Sequence, residues 1–167
     1  MTETVTKPYR VASGEGLANV WWKSGRVTVK AGSAETDHTF SQIETDDPRD
    51  SGPPLHLHHN EDETFYVLEG EVTVWVADAR LSLTAGSFAF GPKGVPHTFY
   101  AEAGGARALV GFAPAQFEGF QREVGEPAPE RVLPPPMEGH PDMARLAPIA
   151  KRNGFEILGP PGPPPGH

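Results

Sequence analysis

The sequence predicts an all-β domain with one or two short helices near its C-terminal end, and three observations carry this prediction. The chain holds 19 glycines and 19 prolines among 167 residues, a composition that disfavours helix bundles and long coiled coils. Short stretches of alternating apolar and polar residues run from Val20 to Phe112, as expected for strands with one buried face. Turns that contain glycine interrupt these stretches at regular intervals, which favours an antiparallel sandwich or barrel.

The clearest predicted strand is the segment 71–76, in which three valines share one face while Thr73 and Trp75 share the other. This period of two residues is typical of a strand. The remaining predicted strands are 27–30, 39–43, 65–68, 79–83, 87–90, 97–100 and 107–112. The turns predicted between them lie at 69–70, 85–86, 91–94 and 104–105. Because no internal repeat is visible, we expect a single barrel.

Two segments that follow the predicted barrel have helical spacing instead. Residues 114–124 place Phe117 and Phe120 on one apolar stripe, and residues 141–153 form a second stripe that ends before Gly154. A glycine at such a position commonly ends a helix. We expect the first helix to cover the barrel, and a lid over the barrel mouth is the alternative.

The chain is therefore predicted to have three parts. Residues 1–113 form the β-barrel with its N-terminal strands, and residues 114–158 form a helical extension packed on it. Within that extension, the segment 125–136 is rich in proline and glutamate and is predicted to be a linker. Residues 159–167 contain almost only proline and glycine, so they are predicted to form a flexible tail.

Composition also excludes several classes of function. The chain has no cysteine, which excludes disulfides, thiolate metal sites and a cysteine nucleophile. Its 22 acidic and 14 basic residues give a net charge of −8, which disfavours binding to nucleic acid or to an anionic membrane surface. No apolar run resembles a signal peptide or a membrane span. We therefore expect a cytoplasmic protein whose partner is a small molecule.

Four residues form the candidate chemical site. His56 and His58 are two positions apart, so a strand would direct both imidazoles to the same side. Glu63 follows after a turn, and His97 begins a later predicted strand. Three imidazoles and one carboxylate suit one divalent transition metal, namely Fe, Mn, Ni, Co, Cu or Zn. Four protein ligands would leave one or two positions open for water, substrate or dioxygen, as in catalytic sites.

Alternatives to this ligand set remain open at this stage. The four residues can be ordinary surface or core polar groups. Glu61 lies two residues before Glu63 and is its rival as the carboxylate ligand. His59 faces away from His56 and His58, which favours a surface role or a supporting role over ligation.

The spacing of these residues resembles the two sequence motifs of single-domain cupins, which are RmlC-like jelly-roll barrels. The first motif corresponds to His56-x-His58-x4-Glu63-x6-Gly70, and the second to Gly86-x5-Pro92-x-Gly94-x2-His97. The matched stretch runs from about residue 52 to residue 101. Two departures concern positions that are not ligands: Gly52 lies four residues before His56 instead of six, and Ala101 replaces an asparagine. The resemblance implies a double-stranded β-helix in which these three histidines and Glu63 hold the metal.

Within that family, the amino-acid sequence in and around the two motifs resembles that of small bacterial quercetin 2,3-dioxygenase-like cupins. This resemblance implies a metal-dependent dioxygenase that acts on a flavonol or another small enolisable aromatic. Glu63 would also be catalytic, because it would accept the proton of the substrate hydroxyl. Related cupins imply two alternatives, a non-redox isomerase, lyase or decarboxylase and a non-catalytic binding protein. The resemblance further implies a homodimer formed through the N-terminal strands.

Apolar residues near the predicted ligands are candidates for the substrate pocket. Phe65 and Val67 share the face of Glu63, and Phe99 shares the face of His97, by the period of two. Trp75 and Phe90 complete the candidate set. For any single one of the three residues 65, 67 and 99, ordinary barrel core is the favoured role. Trp75 can line the pocket or pack on the sheet.

Overall fold

The computed structural model describes residues 7–129, 132–135 and 142–164. Within these ranges it contains ten strands and three helices. The strands are β1 (Ala18–Trp22), β2 (Gly25–Ala31), β3 (Ser41–Asp47), β4 (Pro54–His58), β5 (Asp62–Val76), β6 (Ala79–Thr84), β7 (Phe88–Gly91), β8 (His97–Ala113), β9 (Glu126–Pro127) and β10 (Phe155–Pro161). The helices are α1 (Ser33–Thr36), α2 (Phe117–Val124) and α3 (Met143–Arg152).

Two long strands, β5 and β8, build the barrel by belonging to two sheets at once. They pair antiparallel along nearly their whole length, from Asp62 opposite Ala113 to Val76 opposite His97. One end of this ribbon continues into β7 on one side and into β3, β2, β1 and β9 on the other. The other end continues into β6, β4 and β10. The result is a sandwich of two antiparallel sheets, and the prediction of an all-β jelly roll is confirmed.

Gly70 marks the place where β5 passes from one sheet to the other. Its φ of +78° lies in the left-handed region, and the register with β8 shifts on both sides of it. A Cβ atom at Gly70 would lie 2.1 Å from the carbonyl oxygen of Gly105. Glycine is therefore required here both by the backbone conformation and by the close approach of the partner strand.

The hydrophobic core lies between the two sheets. Its members are the inward-facing residues of the central strands, including Val29, Ile43, Val67, Val74 and Phe112, each at most 2% exposed. A second, smaller cluster joins Phe120 of α2, Ile149 and Ala150 of α3, and Phe155 of β10. The side chain of Phe117 contacts both clusters. The two predicted helices thus pack over one end of the barrel.

The structure differs from the sequence-based expectation in how the strands are joined. The predicted strands 65–68 and 71–76 are parts of β5, and 97–100 and 107–112 are parts of β8. Turn signals at residues 69–70 and 104–105 indicated breaks, but in the structure they are bends within continuous strands. The short helix α1 was not predicted, since its four residues are too few to show a helical period.

The predicted flexible tail requires a correction at its start. Residues 159–161 belong to β10, which pairs antiparallel with β4 as far as Pro161 opposite Pro54. Proline is tolerated here because β10 is an edge strand of its sheet. Outside the described residues lie residues 165–167 of the predicted tail, residues 130, 131 and 136 of the predicted linker, and residue 141 of the second predicted helix. The division of the chain at residues 113 and 158 stays a prediction.

No helix in the part of the chain that the structure describes is long and apolar enough to cross a membrane.

Candidate metal centre

Four buried side chains from three strands converge at one end of the barrel. His56 and His58 lie on the inward face of β4, which alternates buried and partly exposed residues. Glu63 lies near the start of β5, and His97 begins β8 directly opposite His56. The four residues are at most 5% exposed, and one ligand atom from each lies within 4.8 Å of the others. The structure therefore brings together all four predicted ligands.

Hydrogen bonds to the backbone hold two of the imidazoles in a defined orientation. The Nδ1 atom of His56 lies 2.8 Å from the carbonyl oxygen of Pro54, and Nδ1 of His97 lies 2.9 Å from that of Val95. A carbonyl oxygen can only accept, so each Nδ1 carries the proton and donates it. In the neutral ring each Nε2 is then left with a lone pair, which is the form of imidazole that binds a metal.

Glu61 holds the third imidazole by a side-chain contact. Its Oε1 lies 2.9 Å from Nδ1 of His58, and its Oε2 accepts the backbone N–H of Phe117 at 3.1 Å. Glu61 is only 1% exposed, and both its oxygens are occupied in this way. Glu61, which the sequence left open as a rival ligand, thus lies behind His58 and orients its ring instead of sharing the cluster of four.

The Nε2 atoms of all three histidines point to the same oxygen of Glu63. Oε2 of Glu63 lies 2.6 Å from Nε2 of His97, 3.1 Å from that of His58 and 3.9 Å from that of His56. The Nε2 of His58 is buried and makes no well-directed hydrogen bond among the described residues. Two nitrogens bound to one ion at about 2.1 Å lie about 3 to 4 Å apart. The donor set, whose four ligand atoms lie within 4.8 Å of one another, therefore suits a single divalent transition-metal ion.

Burial and mutual contact shift the pKa values of these groups. Burial, the largest influence, lowers the pKa of His56 to about 4, and the nearby carboxylate of Glu63 offsets this only in part. Burial also disfavours the charged form of His58, but the hydrogen bond to Glu61 and the neighbouring carboxylate of Glu63 outweigh it and raise the pKa of His58 to about 9. For Glu63 burial is opposed by the charge of His97 and by the close contacts with the three imidazoles, which hold its pKa well below the usual value. Glu63 is therefore an anionic carboxylate at neutral pH.

The cluster opens into a cavity through His56 and Glu63, which form part of its wall. The wall is otherwise mainly apolar and includes Phe99, Phe112 and Phe117, of which Phe112 and Phe117 contact the ring of His58. The cavity volume is about 60 Å³, which is room for a few water molecules. An arrangement of this kind can hold a small molecule against the metal-binding groups while the apolar wall keeps bulk water away.

Comparison with known proteins places this site in a family. Residues 42–111, which include all four clustered residues, match the family model of the cupin domain. This segment is a cupin domain. A curated relative, quercetin 2,3-dioxygenase of Bacillus subtilis (strain 168), is 28% identical over 127 residues, which are 76% of this chain and 37% of that protein. The chain thus spans little more than a third of the length of the curated relative that it matches.

Solved structures agree on the fold. An RmlC-like cupin from Shewanella frigidimarina superposes with a TM-score of 0.54 at 21% identity, covering 62% of this chain and 89% of that one. Oxalate decarboxylase from Bacillus subtilis gives a TM-score of 0.53 at 22% identity, covering 58% of this chain and 27% of that one. At this level of identity the two structures support the cupin jelly roll and nothing further about chemistry.

The cupin barrel places the predicted pocket residues at different distances from the cavity. Phe99 lines it, and Phe65 and Val67 line a smaller adjoining space that shares Phe99 as a wall.

Phe90 does not line either space and is 50% exposed, because Ala89 and Gly91 take the inward positions of β7. Trp75 lies on the face of β5 opposite Val74 and outside the inner core cluster, so it packs on the outer side of its sheet. Phe90 and Trp75, which were predicted to line the pocket, therefore lie outside it.

Two polar residues of the cavity were missed by sequence reasoning. Lys23 in the β1–β2 turn and Asp47 at the end of β3 both belong to the wall. Burial lowers the pKa of Lys23 to about 7, although the charge of Asp47 opposes this shift. Burial also raises the pKa of Asp47 to about 6, against a hydrogen bond from Thr45. No sequence signal marks them, since the period of two does not predict where side chains in a turn or at a strand end will point.

Proposed function

We propose that this cupin domain is a mononuclear metal-dependent enzyme, of the dioxygenase type, that acts on a small enolisable substrate. The observation that supports it is the convergence of His56, His58, Glu63 and His97 at the closed end of a cavity. A structural metal site is normally closed by protein ligands on all sides. Here two of the four groups face open space, which leaves a position for a substrate beside the ion.

A bound transition-metal ion would supply Lewis acidity and, if redox-active, a centre for reaction with dioxygen. The other roles in the proposed reaction, including proton acceptance, belong to residues of the chain. Glu63 is a carboxylate in the cavity wall, so it is placed to accept the proton of a substrate hydroxyl group. Loss of that proton makes the substrate an electron-rich enolate, the form that is most easily oxidised. Glu63 is therefore proposed to be both a ligand and the catalytic base.

The apolar wall has a role in the same reaction. Phe99, Phe112 and Phe117 surround the open side of the cluster, and Phe117 and Phe112 also contact His58. These rings exclude water from the reacting atoms, which strengthens electrostatic interactions and protects reactive intermediates from hydrolysis.

The size of the cavity bears on the substrate. The match to quercetin 2,3-dioxygenase supports a flavonol, whereas a cavity volume of about 60 Å³ favours a molecule with only a few non-hydrogen atoms. A flavonol would require the rings of Phe99 and Phe117 to move. A smaller enolisable compound fits without such movement and is the substrate class we favour.

A second function, metal-dependent isomerisation, elimination or decarboxylation without dioxygen, has one observation in its favour. The cavity wall carries Lys23 and Asp47, whose pKa values of about 7 and about 6 lie close to neutrality. Groups that titrate near the working pH are suited to move protons. Turnover under strictly anaerobic conditions would favour this second function over the dioxygenase.

The first experiment compares metal content in two adjacent histidine variants. His58→Ala removes one ligand of four and is expected to lose most of the bound metal after loading with Fe, Mn, Co, Ni, Cu or Zn. His59→Ala is the matched control, because the side chain of His59 is exposed and contacts Glu156 at the surface. Elemental analysis should give about one metal per chain in wild type and His59→Ala. Equal metal content in both variants would refute the proposed site.

Oxygen uptake then tests the reaction. The metal-loaded wild type is expected to consume oxygen when quercetin or a smaller enolisable compound is added. Glu63→Gln keeps the shape of the side chain but cannot accept a proton, so we expect oxygen uptake to fall by at least about a hundredfold. Undiminished uptake in a Glu63→Gln variant that retains metal would exclude Glu63 as the base.

A further inference from the structure

Lys23 occupies an unusual position in the barrel. It lies in the tight turn that joins β1 to β2, and its φ of +55° is in the left-handed region, which lysine rarely adopts. Although the turn is partly exposed, the Nζ atom at the tip of the side chain is buried. The side chain belongs to the wall of the cavity that also contains His56 and Glu63.

The ammonium group of Lys23 has no hydrogen-bond acceptor among the described residues. Nζ lies 5.6 Å from the centroid of the Trp22 ring. The attraction between an ammonium group and a ring at this distance is weak. Asp47 faces the same cavity, but no ion pair within 4.0 Å joins it to Lys23. An ammonium group can donate three hydrogen bonds, and leaving them unmade in a buried place is costly.

A second unpaired atom points to the same space. Gln121 of α2 is 3% exposed and lines the cavity, and its side-chain oxygen also lacks a hydrogen-bond donor among the described residues. A ligand between Lys23 and Gln121 would need an oxygen that accepts from the ammonium and a hydroxyl or amide group that donates to the glutamine. Both requirements describe an oxygen-rich small molecule.

We propose that Lys23 anchors a carboxylate or another anionic oxygen group of the substrate in the cavity shared with His56 and Glu63. This inference deepens the proposed function, on which it rests, by assigning the substrate to the class of small anionic molecules. Lys23 acts as a substrate-anchoring residue, since it lies in the wall and outside the metal-binding cluster. Binding of an anion would supply the missing acceptor and would satisfy the buried ammonium.

The pKa of Lys23 offers a direct readout of this contact. At about 7 in the ligand-free cavity, it leaves the side chain as a mixture of ammonium and amine at neutral pH. A bound anion favours the ammonium, so it should raise the pKa of Lys23. The other ionisable groups that face this cavity are Asp47 from β3, His56 from β4 and Glu63 from β5, and an uncharged ligand of the same shape controls for their effects.

The test uses acetate and its uncharged counterpart acetamide as probes. Each is titrated into wild type, Lys23→Met and Lys93→Met, and binding is followed by amide NMR shifts around residues 24 and 121. Lys93 is exposed and lies outside the cavity, so Lys93→Met makes the same change in net charge without touching the site. Lys23→Gln serves as a second variant if Lys23→Met does not fold, and sodium chloride controls for ionic strength.

We expect acetate to bind wild type and Lys93→Met alike, and to bind Lys23→Met about tenfold more weakly or worse. Acetamide should bind all three proteins weakly, and acetate alone should raise the pKa of Lys23 in a lysine Cε titration. Equal binding of acetate and acetamide, or unchanged acetate binding in Lys23→Met and Lys23→Gln, would overturn the proposal.

The titrations are run on protein with and without metal, so that two kinds of failure can be told apart. Lys23-dependent acetate binding in a protein that never takes up metal would refute the proposed function but support the anchoring role. Acetate binding that requires metal and ignores Lys23 would overturn the anchoring role and leave the proposed function standing.

Discussion

At the scale of single residues, the histidines of the cluster differ in what fixes their orientation. Backbone carbonyl oxygens hold His56 and His97, whereas the carboxylate of Glu61 holds His58. A carboxylate makes an imidazole a stronger donor to a metal than a neutral carbonyl does, and it also fixes the ring. The same carboxylate accepts the N–H of Phe117 at the start of α2. One side chain thus joins the candidate metal site to the helix that covers it.

This arrangement predicts that Glu61→Ala weakens metal binding by about ten- to a hundredfold without removing any ligand. The dissociation constant for zinc, measured by competition with a chelator, checks the prediction. Glu156→Ala is the matched control, since that carboxylate contacts the exposed His59. A Glu61→Ala variant that binds zinc as tightly as Glu156→Ala would show that His58 needs no support.

At the scale of elements, β10 is the strand that completes the sheet around the histidines. Phe155 pairs with His58, and Ile157 pairs with His56. The ring of Phe155 also packs against Phe117 and Phe120 at centroid distances of 5.1 and 4.4 Å. The strand β10 therefore contacts both the candidate metal site and the helical cluster.

Two truncations test this role. A chain that ends after Gly154 loses β10, and we expect its free energy of unfolding to fall by about 3 kcal/mol or more through the loss of Phe155 alone. A chain that ends after Pro161 keeps the strand and should unfold like the full chain within about 0.5 kcal/mol. Chemical denaturation followed by tryptophan fluorescence measures both. Equal stability of the two truncated chains would contradict the role given to β10.

The same element shows where sequence-based prediction succeeds and where it fails. Alternation of apolar and polar residues predicts the strands of the barrel and places His56 and His58 on one face, because pleating is a local property. Pairing of β10 with β4 joins residues about a hundred positions apart, and a segment rich in proline and glycine carries no local signal for it. The place of Lys23 in the cavity wall and the contact of Glu61 with His58 escaped prediction for a related reason, since they depend on which side chains the fold brings together.

At the scale of the whole molecule, the buried charges of the cavity make stability depend on pH. The pKa of Lys23 falls from 10.5 to about 7 on folding, so the unfolded chain binds more protons between pH 7 and pH 10.5, and stability rises with pH across this window. The pKa of Asp47 rises from 3.8 to about 6. The folded chain therefore binds more protons between pH 3.8 and pH 6, and stability falls with pH there.

Lys23→Met removes the rise in stability with pH that comes from the lowered pKa of Lys23. At pH 6 we expect the variant to be more stable than wild type by about 1 to 3 kcal/mol, because a buried ammonium without an acceptor is replaced by an apolar side chain. The difference should shrink as the pH approaches 9. Denaturation midpoints at both pH values provide the measurement, with Lys93→Met as the surface control. A Lys23→Met variant that is less stable than wild type at pH 6 would mean that the ammonium is satisfied.

The pairing of β4 with β10 also has a consequence for the order in which the protein matures. During synthesis the strand that carries His56 and His58 leaves the ribosome about a hundred residues before its edge partner. Until β10 arrives, the backbone beside these two histidines lacks its neighbour, and Phe155 cannot close the space around them. A nascent chain would therefore hold all four ligands once residue 97 has emerged, but in a site that Phe155 has not yet closed. The site would reach its closed form only when β10 pairs with β4.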